Sequence, residues 1–158
     1  MEWMTLAGTG LGALVGVGAT LLTERARWRR DSAERARQER KEIYVACLTT
    51  FRQAHESMRA VAFGDRLWEG EATALDAAVR EALRASGCNE ARDTAALFAA
   101  PEIVAAIDDA FVSLRRLMDV LAAGNGLGSA AFQEAQMAHR SAVRLAQAAM
   151  RRDLGSDA

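Results

Sequence analysis

Two histidines, two cysteines and an adjacent pair of aspartates are the residues of this 158-residue chain whose types invite a search for chemistry. His55 and His139 stand alone. Neither belongs to an HExxH run, in which two imidazoles share one helix face, and neither is grouped with cysteines at metal-ligand spacing. His55 falls near the apolar side of a helical stretch and His139 on an alanine-rich one, so both read as structural or surface histidines. Cys47 and Cys88 form no CxxC pair. An exported disulfide framework normally uses more cysteines, so two scattered ones fit a reducing compartment and read as buried thiols, with a regulatory disulfide as the alternative. Asp108 and Asp109 suggest paired carboxylates, but they lie beside Ile107 and Phe111 on an amphipathic stretch and read as its solvated polar edge. The run GNGLG, residues 124–128, has neither the Lys-Ser/Thr of a phosphate loop nor a preceding strand, and reads as a helix stop and turn. These residues predict no enzyme: no catalytic set, no metal site and no cofactor.

The elements that would position such residues are helices. Alanine, leucine, arginine and glutamate dominate, there is one proline, and β-branched and aromatic residues are sparse, a mix that favours α-helix over strand. The expected fold class is all-α. The length leaves room for one soluble domain with a single core. The formal net charge of −1 hides a local asymmetry: residues 24–42 carry eight Arg or Lys against five Asp or Glu, and they abut an apolar run.

That run, residues 3–23, holds 21 residues without a charge. As a helix it would extend about 31 Å, the thickness of a bilayer's hydrocarbon core. A cleaved signal peptide needs positive charge before its apolar core. Here the order is reversed, since Glu2 precedes the run and Arg25, Arg27, Arg29 and Arg30 follow it. Arginines are retained on the cytoplasmic side and attract anionic head groups, so these four predict a single-pass cell-membrane anchor with its N-terminus outside and the rest of the chain cytoplasmic. Trp3 and Trp28 flank the run as interface anchors. Glycine is a poor helix former in isolation. In lipid, however, small residues in a stripe let backbones approach closely, and Gly8, Gly12 and Gly16 recur every four residues. They predict a packing face, with a homo-oligomer as the expected product.

Beyond the anchor, residues 24–42 form a charged juxtamembrane helix in which Arg27 with Asp31, Asp31 with Arg35, Arg30 with Glu34 and Arg35 with Glu39 fall at i,i+4. From Ile43 an apolar face sets in, through Cys47, Leu48, Phe51, Met58, Val61 and Ala62, so this solvated stalk becomes a core element. A turn is expected between Gly64 and Gly70, then a helix over 71–85 with Leu75, Val79, Ala82 and Leu83 inward and Gly87 as its stop. A short helix over 90–99 follows. Pro101 suits the first turn of the next helix, whose stripe is Val104, Ile107, Phe111, Leu114, Leu117, Met118 and Leu121. Ser129 caps a last helix to about Arg152 with Phe132, Leu145 and Met150 inward. Short connections between such helices predict a mainly antiparallel cytoplasmic bundle over 43–154, with 155–158 as a tail.

Arginines on a helix also suggest contact with nucleic acid. Interleaved acids cut the excess over 24–42 to about three charges and no DNA-binding module follows, so direct nucleic-acid binding is the weakest of the readings. The order of parts, GTGLGALVGVGATLL, then TERARWRRDSAERARQERKEIYVACLTTF, then an alanine-rich helical remainder, resembles the KilB proteins of Streptomyces conjugative plasmids and their chromosomal relatives. The likeness is most evident over residues 5–51. It implies a membrane-associated, non-enzymatic accessory protein of conjugative plasmid transfer, concerned with spread of the plasmid through the recipient mycelium, with other transfer or membrane proteins as partners. It also implies that overproduction harms the host. No site residue is carried over from it. The alternative from the residues alone is a membrane-tethered regulatory or sensory module whose bundle binds a cytoplasmic protein or small ligand.

Overall fold

The computed structural model describes residues 3–64 and 72–155, with side chains from residue 24 onward except at 26. Among these residues every regular element is a helix, as the composition predicts: α1 (Trp3–Phe63), α2 (Ala72–Ala85), α3 (Cys88–Phe98), α4 (Pro101–Ala122) and α5 (Ala130–Asp153). Among the described residues no helix is long and apolar enough to cross a membrane. The run expected to span, 3–23, has a helical backbone, but its side chains lie outside the described residues, and Gly8, Gly12 and Gly16 with them. The turn expected after Gly64 and the tail after Gly155 also lie outside them.

The chain forms two compact units, Met1–Glu39 and Arg40–Ala158. In the first, Arg25, Arg27, Arg29 and Arg30 are exposed, and so is Trp28. In the second, residues 40–63 of α1 and all of α2 to α5 share one core.

Local chemistry explains where these helices begin and end. Gly87 adopts φ +75° between α2 and α3, a left-handed conformation that costs other residues a Cβ clash. Pro101 occupies the first turn of α4, where no amide donor is needed, and Ala100 before it is extended at ψ 153°, as a residue preceding proline prefers. At the other end of α4, Gly124 takes φ +75° and closes a Schellman motif: Gly124 N–H donates to Leu121 O at 2.9 Å and Asn125 N–H to Val120 O at 3.3 Å. The Asn125 side-chain amide adds a bond to the same Val120 carbonyl at 3.0 Å. Ser129 then caps α5, accepting from Phe132 N–H at 3.2 Å. A Cβ at Gly124 would meet Leu75 only at ordinary contact distance, so backbone strain alone sets the cost there. Gly124→Ala is expected to destabilise by about 1 kcal/mol, read from urea unfolding at pH 7.

The core centres on α4. Ile103, Ile107, Ala110, Phe111, Leu114, Leu117, Met118 and Leu121 are buried along it, while Val104 is only half-buried. From α1 come Tyr44, Cys47, Phe51, Ala54 and Met58, with Ile43, Leu48, Val61 and Ala62 partly covered. Tyr44 meets Asp153, His55 meets His139 and Phe63 meets Phe132, so numbers rise along α1 as they fall along α5, and these two segments run antiparallel. Phe51 against Phe111, with ring centroids 6.0 Å apart, joins the α1 segment to α4. On α5 the expected inward Leu145 is 66% exposed. The packed face instead runs through Phe132, His139, Ala146, Ala149 and Met150. Small side chains at Ala146 and Ala149 permit a close approach, and Leu145, adjacent to Ala146 in sequence, falls off that face.

Candidate functional site

Alpha-helical spacing places Arg52, His55 and Arg59 at three- and four-residue intervals on α1, while on α5 Arg140 directly follows His139 and Arg144 lies one turn beyond Arg140. The antiparallel register brings the two sets together. They line an open groove of about 580 Å³, whose walls also include Leu48, Phe51 and Val143. Among the described residues, four arginines line it against a single carboxylate, Glu56, which lies 3.9 Å from Arg52.

The two imidazoles meet edge to face at the base of this groove, with centroids 5.5 Å apart and planes at 70°. His139 is 4% exposed. Its Nδ1 is 3.0 Å from Ser113 Oγ, and that oxygen lies 2.7 Å from Ala110 O. A hydroxyl has one proton to give and a carbonyl can only accept, so Ser113 donates to Ala110 and accepts from His139 Nδ1–H. This assigns the Nδ1–H tautomer to neutral His139 and leaves its Nε2 as an acceptor. Burial first, and neighbouring His55 second, together push His139 down to about 4, while the Ala110 carbonyl acts the other way. His55 is lowered as well, first by burial and then by the guanidinium groups of Arg59 and Arg140. Both rings are therefore neutral near pH 7. His55 Nε2 and Arg59 Nε are buried and have no hydrogen-bond partner among the described residues. A buried polar atom left unpaired costs free energy, so these atoms mark a place that a complementary ligand would satisfy.

The other candidates do not assemble into reactive sites. Cys47 and Cys88 are free and buried. Burial pushes the Cys47 thiol up to about 12 and raises Cys88 too, although the bond from Ser86 opposes the second shift. Such thiols stay protonated and are poor nucleophiles. Asp108 and Asp109 part company: Asp108 accepts from Arg92 Nε at 2.6 Å, and Asp109 is exposed. Arg92 also sits over the Phe111 ring, 5.2 Å from its centroid, so this is a clasp between α3 and α4. A second clasp joins Tyr44 O–H to Asp153 Oδ2 at 2.9 Å, with Arg40 beside the same oxygen at 3.3 Å. Among the described residues no group of three His, Cys, Asp or Glu side chains could hold a metal ion.

Treating His55 and His139 one at a time missed their pairing. The signal present in the chain was the helical spacing of Arg52 and Arg59 around His55, but His139 lies 84 positions further on and only the bundle register unites the two. Comparison of the chain with protein-family models, curated proteins and solved structures finds no match.

Proposed function

We propose that this chain is a non-enzymatic, membrane-associated accessory protein of conjugative plasmid transfer and intramycelial spread, anchored by residues 1–23 with the helical bundle on the cytoplasmic side. The observation that carries this reading is the order of parts: an uncharged run of bilayer length, then clustered arginines, then a helical domain, in the arrangement that resembles KilB proteins. Gly8, Gly12 and Gly16 give the anchor a face for self-association. Deleting the gene from a transferring plasmid is the test, with spread through recipient mycelium as the readout. Reduced spread with the protein recovered in the membrane fraction is expected. Purely soluble recovery of the full-length protein would remove the anchor from this reading, and undiminished spread would remove the transfer role.

Assembly through the anchor has its own check. Gly12→Leu with Gly16→Leu is expected to cut crosslinked oligomer in membranes severalfold, because two bulky side chains would hold the backbones apart. Equal crosslinking in the double variant would refute it. A second reading, a membrane-tethered regulatory module, draws on the cationic groove between α1 and α5. Normal plasmid spread with altered transcription on deletion would favour it.

A further inference from the structure

We propose that the groove between α1 and α5 is a binding site for a phosphate monoester, with the two phosphate-facing walls supplied by Arg59 and Arg140 and the base by the His55–His139 pair. This goes beyond both readings above and rests on the groove alone, so it stands or falls separately from the role in plasmid transfer.

Charge is the first support. Among the described residues, Arg52, Arg59, Arg140 and Arg144 line the groove against Glu56 alone. The surplus suits a dianion better than a single carboxylate, and guanidinium forks match the geometry of phosphate oxygens, with charge-assisted bonds about twice as strong as neutral ones. Orphaned polar atoms are the second. Arg59 Nε and His55 Nε2 are buried without hydrogen-bond partners among the described residues, although His139 is ordered by its bond to Ser113, which in turn donates to Ala110 O. Shape is the third. A cavity of about 580 Å³ lies in the range of small-molecule pockets, and Phe51, Leu48 and Val143 offer an apolar wall to the organic part of an ester.

Proton linkage follows from the same geometry. From α1 the groups facing the histidines are Arg52, Glu56 and Arg59, from α5 they are Arg140 and Arg144, and α4 supplies the neutral Ser113 hydroxyl and Ala110 carbonyl. Burial keeps both rings deprotonated, helped at His55 by the guanidinium groups of Arg59 and Arg140 and at His139 by His55. A bound dianion offsets the arginines, so it raises the pH at which each imidazole charges. Binding and protonation then favour one another.

The phosphate group can come from a soluble ester or from a lipid head group, and two probes separate these sources. The full-length protein in non-ionic detergent is titrated with phenyl phosphate, using phenol as the neutral control, and with dihexanoyl phosphatidic acid, using dihexanoyl phosphatidylcholine as the control. The histidine ring resonances are followed by NMR. The expected result is saturable movement of the His55 and His139 signals with a phosphate monoester and upward movement of their titration midpoints. Response to phenyl phosphate assigns a soluble ester, and response to phosphatidic acid alone assigns a lipid head group. In the folded Arg59→Gln, Arg140→Gln double variant binding is expected to weaken at least about tenfold, the equivalent of one lost charge-assisted bond. Arg84→Gln, on α2, is expected to leave it unchanged. If the double variant does not fold, Arg140→Gln, at an exposed position, carries the same comparison with a weakening of at least about threefold. No response to either monoester, or an equal response in the variants, would overturn the assignment.

Discussion

Phe111→Ala is expected to destabilise the bundle by about 3–5 kcal/mol, the range for emptying a buried aromatic position. Phe111 is 6% exposed on α4 and is held on two sides. Phe51 of α1 packs against it, and the Arg92 guanidinium of α3 lies over its ring. Removing the ring therefore opens a cavity between three helices and deprives Arg92 of its aromatic contact. Asp108 still accepts from Arg92, so the guanidinium keeps its charge partner and the loss stays one of packing. Urea unfolding at pH 7 measures the effect, with Val112→Ala as the control on the same helix. Val112 is 46% exposed, and its truncation is expected to cost under about 0.5 kcal/mol. Equal losses at the two positions would show that α4 does not bury the face assigned to it.

The face of α4 is also where the chain was most legible. Its large apolar residues recur with helical period, leaving one way to turn the helix, and Ile107, Phe111, Leu114, Leu117, Met118 and Leu121 are all buried. Helix ends were legible for a related reason: Pro101, Gly124 and Ser129 each satisfy a backbone requirement that few other residues meet. On α5 the reading failed at Leu145. Alanines surround it, so hydrophobicity alone hardly distinguishes one face from another, and close packing selected Ala146 and Ala149 over the larger leucine. Ser113 shows the other limit. A hydroxyl within an apolar stripe looks like a flaw until His139, from another helix, arrives as its partner. Contacts of that kind depend on register between helices, which no local pattern carries.

The buried histidine pair predicts a loss of stability in mild acid. His139 holds its ring neutral down to about pH 4, against an unfolded value near 6.5. Between those values the unfolded chain binds a proton that the native protein does not, so unfolding gains as pH falls and stability drops. The contribution is intact above about pH 6.5 and is lost progressively as pH falls towards 4. At pH 5 the loss from this ring amounts to about 2 kcal/mol relative to pH 7.5. His55 is shifted in the same direction and adds to the fall. His139→Gln separates the contributions. An amide does not titrate in this range and can still donate to Ser113 Oγ, so the variant is expected to give up about 1 kcal/mol at pH 7.5. It would then lose less stability than the parent chain between pH 7.5 and 5, retaining only the His55 part of the dependence. Urea unfolding of both proteins at the two pH values makes the comparison. Parallel losses would mean that His139 accepts its proton in the folded bundle, which its burial beside His55, with Arg59 and Arg140 close to that neighbour, opposes.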